Sequence, residues 1–277
     1  MARVMSEILW DALGELRFAP LAVRLRATLG GETVVDSGRA MLVWEPRRVV
    51  PTYAVPAEDV HARLVPSAEP APDAPLPPVL DPGHPFTVRA GSGRALDVRT
   101  AHGVLTAAAF RPDDPALAGH VVLDFAAFDA WYEEDVPVVG HPRDPYHRVD
   151  VLPSSRPVGV SRDGMPLAAS SRAVVVVETG LAPRRYLPRE DVTADLVPST
   201  RRTLCAYKGE ARYWSVDLPG VGPRDIAWSY PDPLPGMERL AGLVAFYDEV
   251  VDVEIDGVPR PRPTGPLAAL FVAHLGL

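Results

Sequence analysis

The single cysteine and the single lysine of this chain lie three positions apart, within the run Cys205 to Gly209. A thiol beside an ammonium group loses its proton more readily, because the positive charge favours the thiolate. Cys205 and Lys208 together can therefore attack an electrophilic carbon or phosphorus atom, or hold an anionic ligand. Free cysteines are often buried, so a plain core role for Cys205 is an equally good interpretation.

The composition makes Lys208 more informative than a lysine usually is. The chain has 28 basic residues, of which only Lys208 is a lysine, and it has 32 prolines but no asparagine or glutamine. This bias is typical of a very GC-rich bacterial genome. Arginine can fill any generic surface role for a cation. A retained lysine therefore indicates a need for a compact ammonium with an adjustable pKa.

Glu178 is the third candidate for chemistry. It ends a run of four valines that predicts a strand buried on both faces. A carboxylate at a strand end beside an apolar core can pair with Lys208 or act as a base. Structural pairing with Arg172 or Arg185 is the alternative.

Aromatic residues cluster in the same part of the chain, between positions 207 and 230. Aromatic faces beside cations suit a planar ligand, whereas alternate aromatic positions in a strand simply form a core. The core interpretation fits Trp214 better than Trp228 or Tyr230, which adjoin a Pro-Asp-Pro turn. We therefore expect a pocket lined by Cys205, Lys208, Tyr207 and Glu178, with Trp228 or Tyr230 at its rim.

An internal repeat positions these residues. Glu45 and Glu178 lie 133 positions apart (178 − 45) in similar sequence, and Pro56 and Pro188 lie 132 apart (188 − 56). The ordered matches predict two copies of one domain, at residues 20–125 and 141–258, too few for a solenoid. Because the first copy keeps the glutamate without the lysine, a structural pairing is favoured for Glu45.

Each copy has the pattern of β structure. Short apolar or alternating runs are separated by hairpin signals, such as Gly30-Gly31 in the first copy. Helix is expected only at Val4 to Leu16, Phe125 to Tyr132 and Pro266 to Leu275. The fold class is therefore mostly β, with few short helices.

The copies differ after their shared Leu-Val-Pro-Ser. The first copy continues into Ala68 to Pro85, whose proline content predicts an extended and poorly ordered segment. Thr87 then aligns with Cys205, and Ala90 with Lys208. Since the first copy folds without the pair, we expect Lys208→Ala to abolish function with little change in thermal stability.

The segment joining the copies is rich in carboxylates and histidines. Carboxylates and histidines can bind a metal, but the spacing here matches no metal template. Its prolines suggest a rigid extended linker, so an inter-domain ion-pair network is the favoured interpretation. No metal and no cofactor are expected. The segment's ionisable residues include Glu133, Glu134, Asp135, His141, Arg143, Asp144 and His147.

Composition excludes several classes. The formal net charge of −8 argues against a nucleic-acid polymer as partner. No apolar run approaches the roughly 20 residues of a membrane helix, and the first residues lack the pattern of a signal peptide. A single cysteine excludes an internal disulfide. We expect a cytoplasmic protein with a small-molecule ligand.

Several motifs carry a family resemblance. Arg185 to Val192 resembles the central motif of the bacterial domain of unknown function 427 family, and Cys205 to Gly209 is similar to its Cys-Pro-Tyr-Lys-Gly signature, with Ala206 in place of proline. The linker resembles that of tandem actinobacterial members. The resemblance implies small β domains with tent-like, Mss4-like sheets. The family is sometimes labelled nucleotidyltransferase-like, but no established activity transfers from it.

Two functions remain open. The first is binding of a small planar or anionic metabolite in the second domain. The second is an enzyme that uses Cys205 and Lys208, with Glu178, in nucleotidyl- or acyl-transfer-like chemistry. Exposure of the Cys205 thiol distinguishes these two functions. A buried thiol favours binding, whereas a thiol that faces a pocket with Lys208 within reach favours catalysis. The other candidate ligand-binding residues are Tyr207, Arg185, Asp191, Trp228 and Tyr230, of which Asp191 also fits an acid in the first turn of a short helix.

Overall fold

The computed structural model describes residues 2–69 and 75–277. The chain divides into two compact units, Met1–Asp144 and Pro145–Leu277. Strands hold 46% of the residues and helices 13%, so the protein is mostly β, with several antiparallel sheets and, within these described ranges, two short α-helices.

The described residues of the first unit form eleven strands. In chain order they are β1 (Arg17–Pro20), β2 (Leu25–Leu29), β3 (Glu32–Ser37), β4 (Met41–Trp44), β5 (Thr52–Pro56), β6 (Arg63–Pro66), β7 (Gly93–Thr100), β8 (Gly103–Pro112), β9 (His120–Leu123), β10 (Ala130–Glu133) and β11 (Val136–Val138).

The second unit also contains eleven strands. They are β12 (Val149–Pro153), β13 (Val158–Arg162), β14 (Met165–Ser170), β15 (Val174–Glu178), β16 (Arg184–Pro188), β17 (Val197–Cys205), β18 (Gly209–Leu218), β19 (Gly222–Ser229), β20 (Leu243–Phe246), β21 (Asp252–Ile255) and β22 (Val258–Arg260).

Helices are few and short. The two α-helices are α1 (Met5–Asp11) and α2 (Pro266–Leu275), and α2 begins with a proline in its first turn, where the missing N–H costs no hydrogen bond. The 3₁₀ turns are Ala12–Gly14, Ala57–Asp59, Pro115–Leu117, Phe125–Ala127, Arg189–Asp191 and Glu238–Leu240.

The two units share one topology. The first has a seven-stranded sheet in the order β1-β4-β5-β9-β8-β7-β6 and a four-stranded sheet in the order β11-β10-β2-β3. The second has β12-β15-β16-β20-β19-β18-β17 and β22-β21-β13-β14, the same orders strand for strand. Pro56 and Pro188 each end the corresponding strand and precede a 3₁₀ turn.

Register extends this correspondence to single residues. The irregularity in the β7–β8 pairing falls between Leu96 and Val98, and that in β18–β19 falls between Trp214 and Val216. These positions are 118 apart (214 − 96), the offset that aligns Thr87 with Cys205. Positions in the two units can therefore be compared directly.

Each unit has its own core. Strand β5 is buried at all five positions, because Tyr53 and Val55 pack into one apolar cluster and Ala54 into another on the opposite face. The expectation that the valine strand β15 is buried on both faces is wrong: of its four valines only Val176 is buried.

Two expected helices differ from the structure. The helix expected at Val4 to Leu16 is shorter, since α1 ends at Asp11 and one 3₁₀ turn follows it. The expected helix at Phe125 to Tyr132 is wrong, because only Phe125–Ala127 is a 3₁₀ turn and the chain then enters β10. Strand β10 pairs with β2 and β11, so the region interpreted as a linker supplies strands of the first unit's smaller sheet.

The proline-rich segment from Ala68 to Pro85 lies partly outside the described residues, at positions 70–74. From residue 75 onward it is anchored, contrary to expectation. Leu80 is fully buried, its N–H donates to the carbonyl of Arg47, and its own carbonyl accepts from Val49. Two buried apolar side chains, Val79 and Leu80, and a short bridge therefore hold this stretch against the sheet.

Candidate functional site

The Cys–Lys motif forms the tip of a hairpin. Cys205 ends β17 and pairs with Gly209, which begins β18, so the residues between them form a three-residue turn. Gly209 has a φ of +98°, and a Cβ at this position would lie 3.2 Å from the carbonyl oxygen of Asp232. Both the left-handed backbone and the close approach require glycine here.

The turn places Lys208 against Glu178. The Lys208 Nζ lies 2.6 Å from Glu178 Oε1, and both side chains are only 7% exposed. The second carboxylate oxygen of Glu178 lies 3.4 Å from His147 Nε2. The ammonium also lies 6.0 Å from the ring centroid of Tyr230. Glu178 pairs with Lys208, not with Arg172 or Arg185.

This arrangement keeps Glu178 ionised. Burial alone raises the pKa of this carboxyl group, but the hydrogen bond from His147 and the charge of Lys208 outweigh burial and lower the pKa to about 2. A carboxylate held this strongly in its ionised form is a poor proton acceptor near neutral pH. The geometry therefore favours Glu178 as a counter-ion over Glu178 as a general base.

Tyr207 joins this arrangement through His147. Its ring stacks on the imidazole of His147, with a centroid separation of 4.8 Å and an interplanar angle of 24°. Both residues are half-buried, whereas the neighbouring Ala206 is fully buried. We call Tyr207, His147, Glu178 and Lys208 the Glu178 group.

Cys205 lies beside buried aromatic residues. It is half-buried and packs against the core of the second unit. Trp228 and Tyr230 are also buried, at 7% and 6% exposure, so the expectation that one of them lies at a pocket rim is wrong. Trp228 Nε1 donates a hydrogen bond of 3.0 Å to Tyr186 Oη. Burial raises the pKa of Tyr230, and the charges of Cys205 and Glu178 add to this shift.

Asp191 belongs to a structural contact that both units contain. It accepts a hydrogen bond of 2.6 Å from Ser170 Oγ and one of 2.7 Å from Arg172. In the first unit Asp59 makes the same two contacts, with Ser37 and Arg39, at the same distances. Asp191 therefore has the geometry of the turn-stabilising acid.

Arg185 lies away from the Glu178 group. Its Nη1 donates a hydrogen bond of 3.0 Å to Asp248 Oδ2. Its neighbour Arg184 makes a buried bidentate pair with Glu249. Successive side chains of a strand point to opposite faces, so Arg184 and Arg185 are directed to different sides of β16.

The first unit also holds a glutamate at the site equivalent to Glu178, with different cations. Glu45 is buried and its Oε2 lies 2.9 Å from Arg89 Nη1 and 3.2 Å from Arg48 Nε. The Arg89 guanidinium stacks on Phe86, 3.6 Å from the ring centroid, and on Phe110 at 4.4 Å. Burial lowers the pKa of Arg89 to about 10, although the charge of Glu45 opposes this.

This comparison changes the interpretation of Lys208. The first unit has Ala90 in the equivalent position, but it does not leave Glu45 uncompensated. A buried carboxylate needs a cation in either unit. The expectation that Lys208→Ala leaves stability unchanged therefore does not fit a buried pair at 2.6 Å.

Sequence reasoning missed the role of His147. It grouped this residue with the linker cluster, whereas the structure brings it to Glu178 and Tyr207. Nothing in the local sequence indicates that contact, since the histidine lies 31 residues from Glu178. Within residues 2–69 and 75–277, no group of three or more His, Cys, Asp or Glu side chains is arranged to hold a metal ion.

Comparison with known families identifies the domain that carries this site. Residues 150–257 match the family described as Domain of unknown function (DUF427). The second unit therefore contains a DUF427 domain, and it includes Glu178 and Lys208. No curated protein matches the chain. In the part of the chain that the structure describes, no helix is both long and apolar enough to cross a membrane.

Proposed function

We propose that the second unit binds a small planar or anionic metabolite on the outer face of the Glu178 group. The observation that carries this proposal is the half-buried stacked pair of Tyr207 and His147, which His147 joins to the buried Lys208–Glu178 ion pair. In the first unit the position equivalent to Tyr207 is occupied by Arg89, whose guanidinium lies 3.6 Å from the ring centroid of Phe86. An aromatic face on a fixed charged base is suited to a flat ligand.

Charges near the hairpin support an anionic ligand. Arg202 and Arg212 lie on the two hairpin strands and are 42% and 49% exposed. They share one carboxylate, Glu210, at 3.8 Å and 3.6 Å, so one positive charge is not neutralised locally. Exposed cations of this kind attract an anion to the surface without fixing its orientation. Stacking on Tyr207 would supply the orientation.

The geometry favours binding over the alternative, an enzyme of the nucleotidyl- or acyl-transfer type. The Lys208 Nζ is held 2.6 Å from a buried carboxylate and its side chain is only 7% exposed, so it is poorly placed to attack a ligand. The Cys205 side chain packs against the core. A thiol in that position supports a structural role more than a nucleophilic one.

The first unit would be a degenerate copy of the same domain. Its eleven strands have the order of those in the DUF427 unit, and its buried Glu45 occupies the equivalent strand end. The bounds expected from the sequence, 20–125 and 141–258, leave out β10 and β11, so we place the copies in the two units, Met1–Asp144 and Pro145–Leu277, of a tandem protein of the actinobacterial type. The expected location is the bacterial cytoplasm, supported by the single cysteine and the composition.

Titration of the full chain with AMP, which combines a planar base with an anion, tests the proposal. Tyr207→Leu should weaken AMP binding roughly tenfold, because stacking of a base on an aromatic ring is worth ~1–3 kcal/mol. Tyr146→Leu is the matched control, since Tyr146 is 71% exposed and lies outside the Glu178 group. Isothermal titration calorimetry gives the affinities, with adenosine as the uncharged comparison.

Two results would contradict the proposal. One is saturable AMP binding that Tyr207→Leu and Tyr146→Leu reduce equally. The other is the absence of saturable binding for both AMP and adenosine. Rapid alkylation of Cys205 by iodoacetamide that slows in Lys208→Arg would instead favour the enzyme, because it requires an exposed and activated thiolate.

A further inference from the structure

A second site lies in the same unit, at a cavity of about 370 Å³. This volume is within the range of small-molecule pockets. Its lining shares no residue with the Glu178 group. The polar lining residues are three arginines and one aspartate, and the apolar wall consists of proline, alanine, valine and isoleucine. The residues that matter here are Arg156, Arg185, Arg260, Asp248, Val253 and Ile255.

Positive charge exceeds negative charge around this cavity. Arg185 donates to Asp248 at 3.0 Å, and Arg156 pairs with Asp256 at 2.6 Å. Arg260 is exposed and makes no ion pair within the described residues. Three guanidinium groups and two carboxylates therefore leave one positive charge without a partner. That charge belongs to Arg260, the exposed arginine of the lining.

The arginines also act on one another. Burial lowers the pKa of Arg185, Asp248 raises it, and the charges of Arg260 and Arg156 lower it again. Repulsion of this kind costs stability, so the fold does not gain from bringing these cations together. An anion placed among them would remove the cost. This is the electrostatic environment expected of an anion site.

The first unit shows what the equivalent positions of the fold can hold instead of arginines. Arg185 lies opposite Val175 across β15 and β16, and Tyr53 lies opposite Leu42 across β4 and β5. The two strand pairs have the same place in their sheets. Tyr53 is therefore the equivalent of Arg185.

Aromatic rings also replace two further lining residues. Trp131 is the equivalent of Val253, because each lies on the second position of its strand and pairs with an equivalent residue of β2 or β13. Phe125 is the equivalent of Asp248, two residues beyond the end of β9 or β20.

These rings fill the space in the first unit. The ring centroids of Tyr53 and Trp131 lie 5.1 Å apart, and those of Phe125 and Trp131 lie 5.7 Å apart. Tyr53 Oη donates a hydrogen bond of 2.7 Å to Glu133, the equivalent of Ile255. The fold can thus close this position with apolar packing. The second unit has instead small aliphatic residues and arginines.

From this difference we infer that the cavity binds a small organic monocarboxylate with a compact, non-planar apolar body. The carboxylate would lie between Arg185 and Arg260, and the apolar body against Val253 and Ile255. Guanidinium forks match the geometry of a carboxylate. The single unbalanced positive charge matches one negative charge better than the two of a phosphate ester. This site is independent of the proposal for the Glu178 group.

Cyclohexanecarboxylate, its uncharged analogue cyclohexanecarboxamide, and inorganic phosphate are the probes for a calorimetric test on the full chain. We expect saturable binding of the carboxylate alone. Arg260→Gln should weaken it about tenfold, since a hydrogen-bonded charge pair is lost. Arg262→Gln is the matched control. It removes the same charge two residues away, where Arg262 pairs with Asp252 at 2.8 Å outside the cavity.

A second variant tests whether the cavity volume is needed for binding. Val253→Trp places in the cavity the side chain that Trp131 supplies in the first unit, and it should abolish binding of the carboxylate. Because this variant risks misfolding, the exposed Arg260 provides the deciding measurement. Tyr207→Leu should leave carboxylate binding unchanged, which separates this site from the Glu178 group.

Several results would overturn the inference. These are equal binding of the carboxylate and the amide, a preference for inorganic phosphate, no saturable binding of any probe, and an affinity unchanged by Arg260→Gln. A loss of binding in Tyr207→Leu equal to that in Arg260→Gln would place the carboxylate at the Glu178 group instead.

Discussion

Glu45 and Glu178 occupy the same strand end in two units of the same topology, but their side-chain partners come from different places. The Glu45 carboxylate contacts Arg48 and Arg89, whereas the Glu178 carboxylate contacts Lys208 and His147. In the 118-residue register, Arg89 is equivalent to Tyr207 and Lys208 to an alanine. The carboxylate is therefore the shared feature of the repeat, and each unit supplies its counter-ions independently.

The difference teaches what is general and what is special in the second unit. Neutralising a buried carboxylate is a folding requirement that arginine meets in the first unit. There, two phenylalanine rings contact the Arg89 guanidinium that pairs with Glu45. The second unit meets it with a compact ammonium, and this leaves Tyr207 half-buried at the surface. A half-buried aromatic residue in place of a guanidinium, more than the presence of a cation, distinguishes the two sites.

Removal of Lys208 should give the largest effect. Lys208→Met leaves Glu178 buried without its closest cation, and we expect a loss of about 3–5 kcal/mol in the free energy of unfolding. The measurement is chemical denaturation followed by circular dichroism. In the first unit, Arg89→Met should cost less, because Arg48 still pairs with Glu45.

A double variant sharpens this prediction. Lys208→Met combined with Glu178→Leu removes both charges and should recover much of the lost stability, since apolar residues often replace a buried ion pair without cost. A double variant as unstable as Lys208→Met alone would show that the loss does not come from the unpaired charge of Glu178.

Acid should weaken the second unit through Glu178. Its pKa is about 2 in the folded protein, against 4.5 for an ordinary glutamate. A lowered folded pKa contributes stability that is fully present above pH 4.5 and is lost as the pH falls towards 2. The contribution is on the order of 3 kcal/mol. Denaturation curves between these pH values check it.

The control for the acid experiment is Glu178→Gln. This variant has no carboxyl group to titrate at the site, so its stability should depend less steeply on pH over the same interval. Identical pH slopes in the variant and the parent protein would show that other carboxylates dominate the acid response.

The smallest effect is expected at the contact that both units share. Asp59→Asn and Asp191→Asn each disturb one Ser–Asp–Arg contact of the same geometry. We expect both to lower the unfolding midpoint slightly and by the same amount, with AMP binding unchanged. A selective loss of AMP binding in Asp191→Asn would restore Asp191 as a ligand-binding residue.

Local patterns were sufficient for much of the fold. The short alternating runs and glycine turns predicted a mostly β chain. The spacing of the matching motifs also agrees with the equivalent strand positions of the two units. The C-terminal helix also follows the predicted bounds, Pro266–Leu275. The expected helix after Phe125 was wrong, because pairing of β10 with β2 overrides the local preference of an alanine-rich stretch.

For the candidate site, the sequence selected Cys205, Lys208, Tyr207 and Glu178 from residue type alone. It could not find His147, whose contact with Glu178 depends on the pairing of β12 with β15. It also could not find the cavity at Arg185. Its three arginines come from separate segments, and only the fold brings them together.

The sequence by itself determined the repeat, the strand-rich class and the single hairpin turn that carries the only thiol and the only ammonium. These are properties of neighbouring residues, because side-chain alternation and turn formation act over a few positions. Only the tertiary structure decided which cation meets which carboxylate and whether aromatic rings or arginines occupy a given space. Those outcomes depend on contacts between distant segments, where burial makes an unpaired charge or an unfilled volume costly.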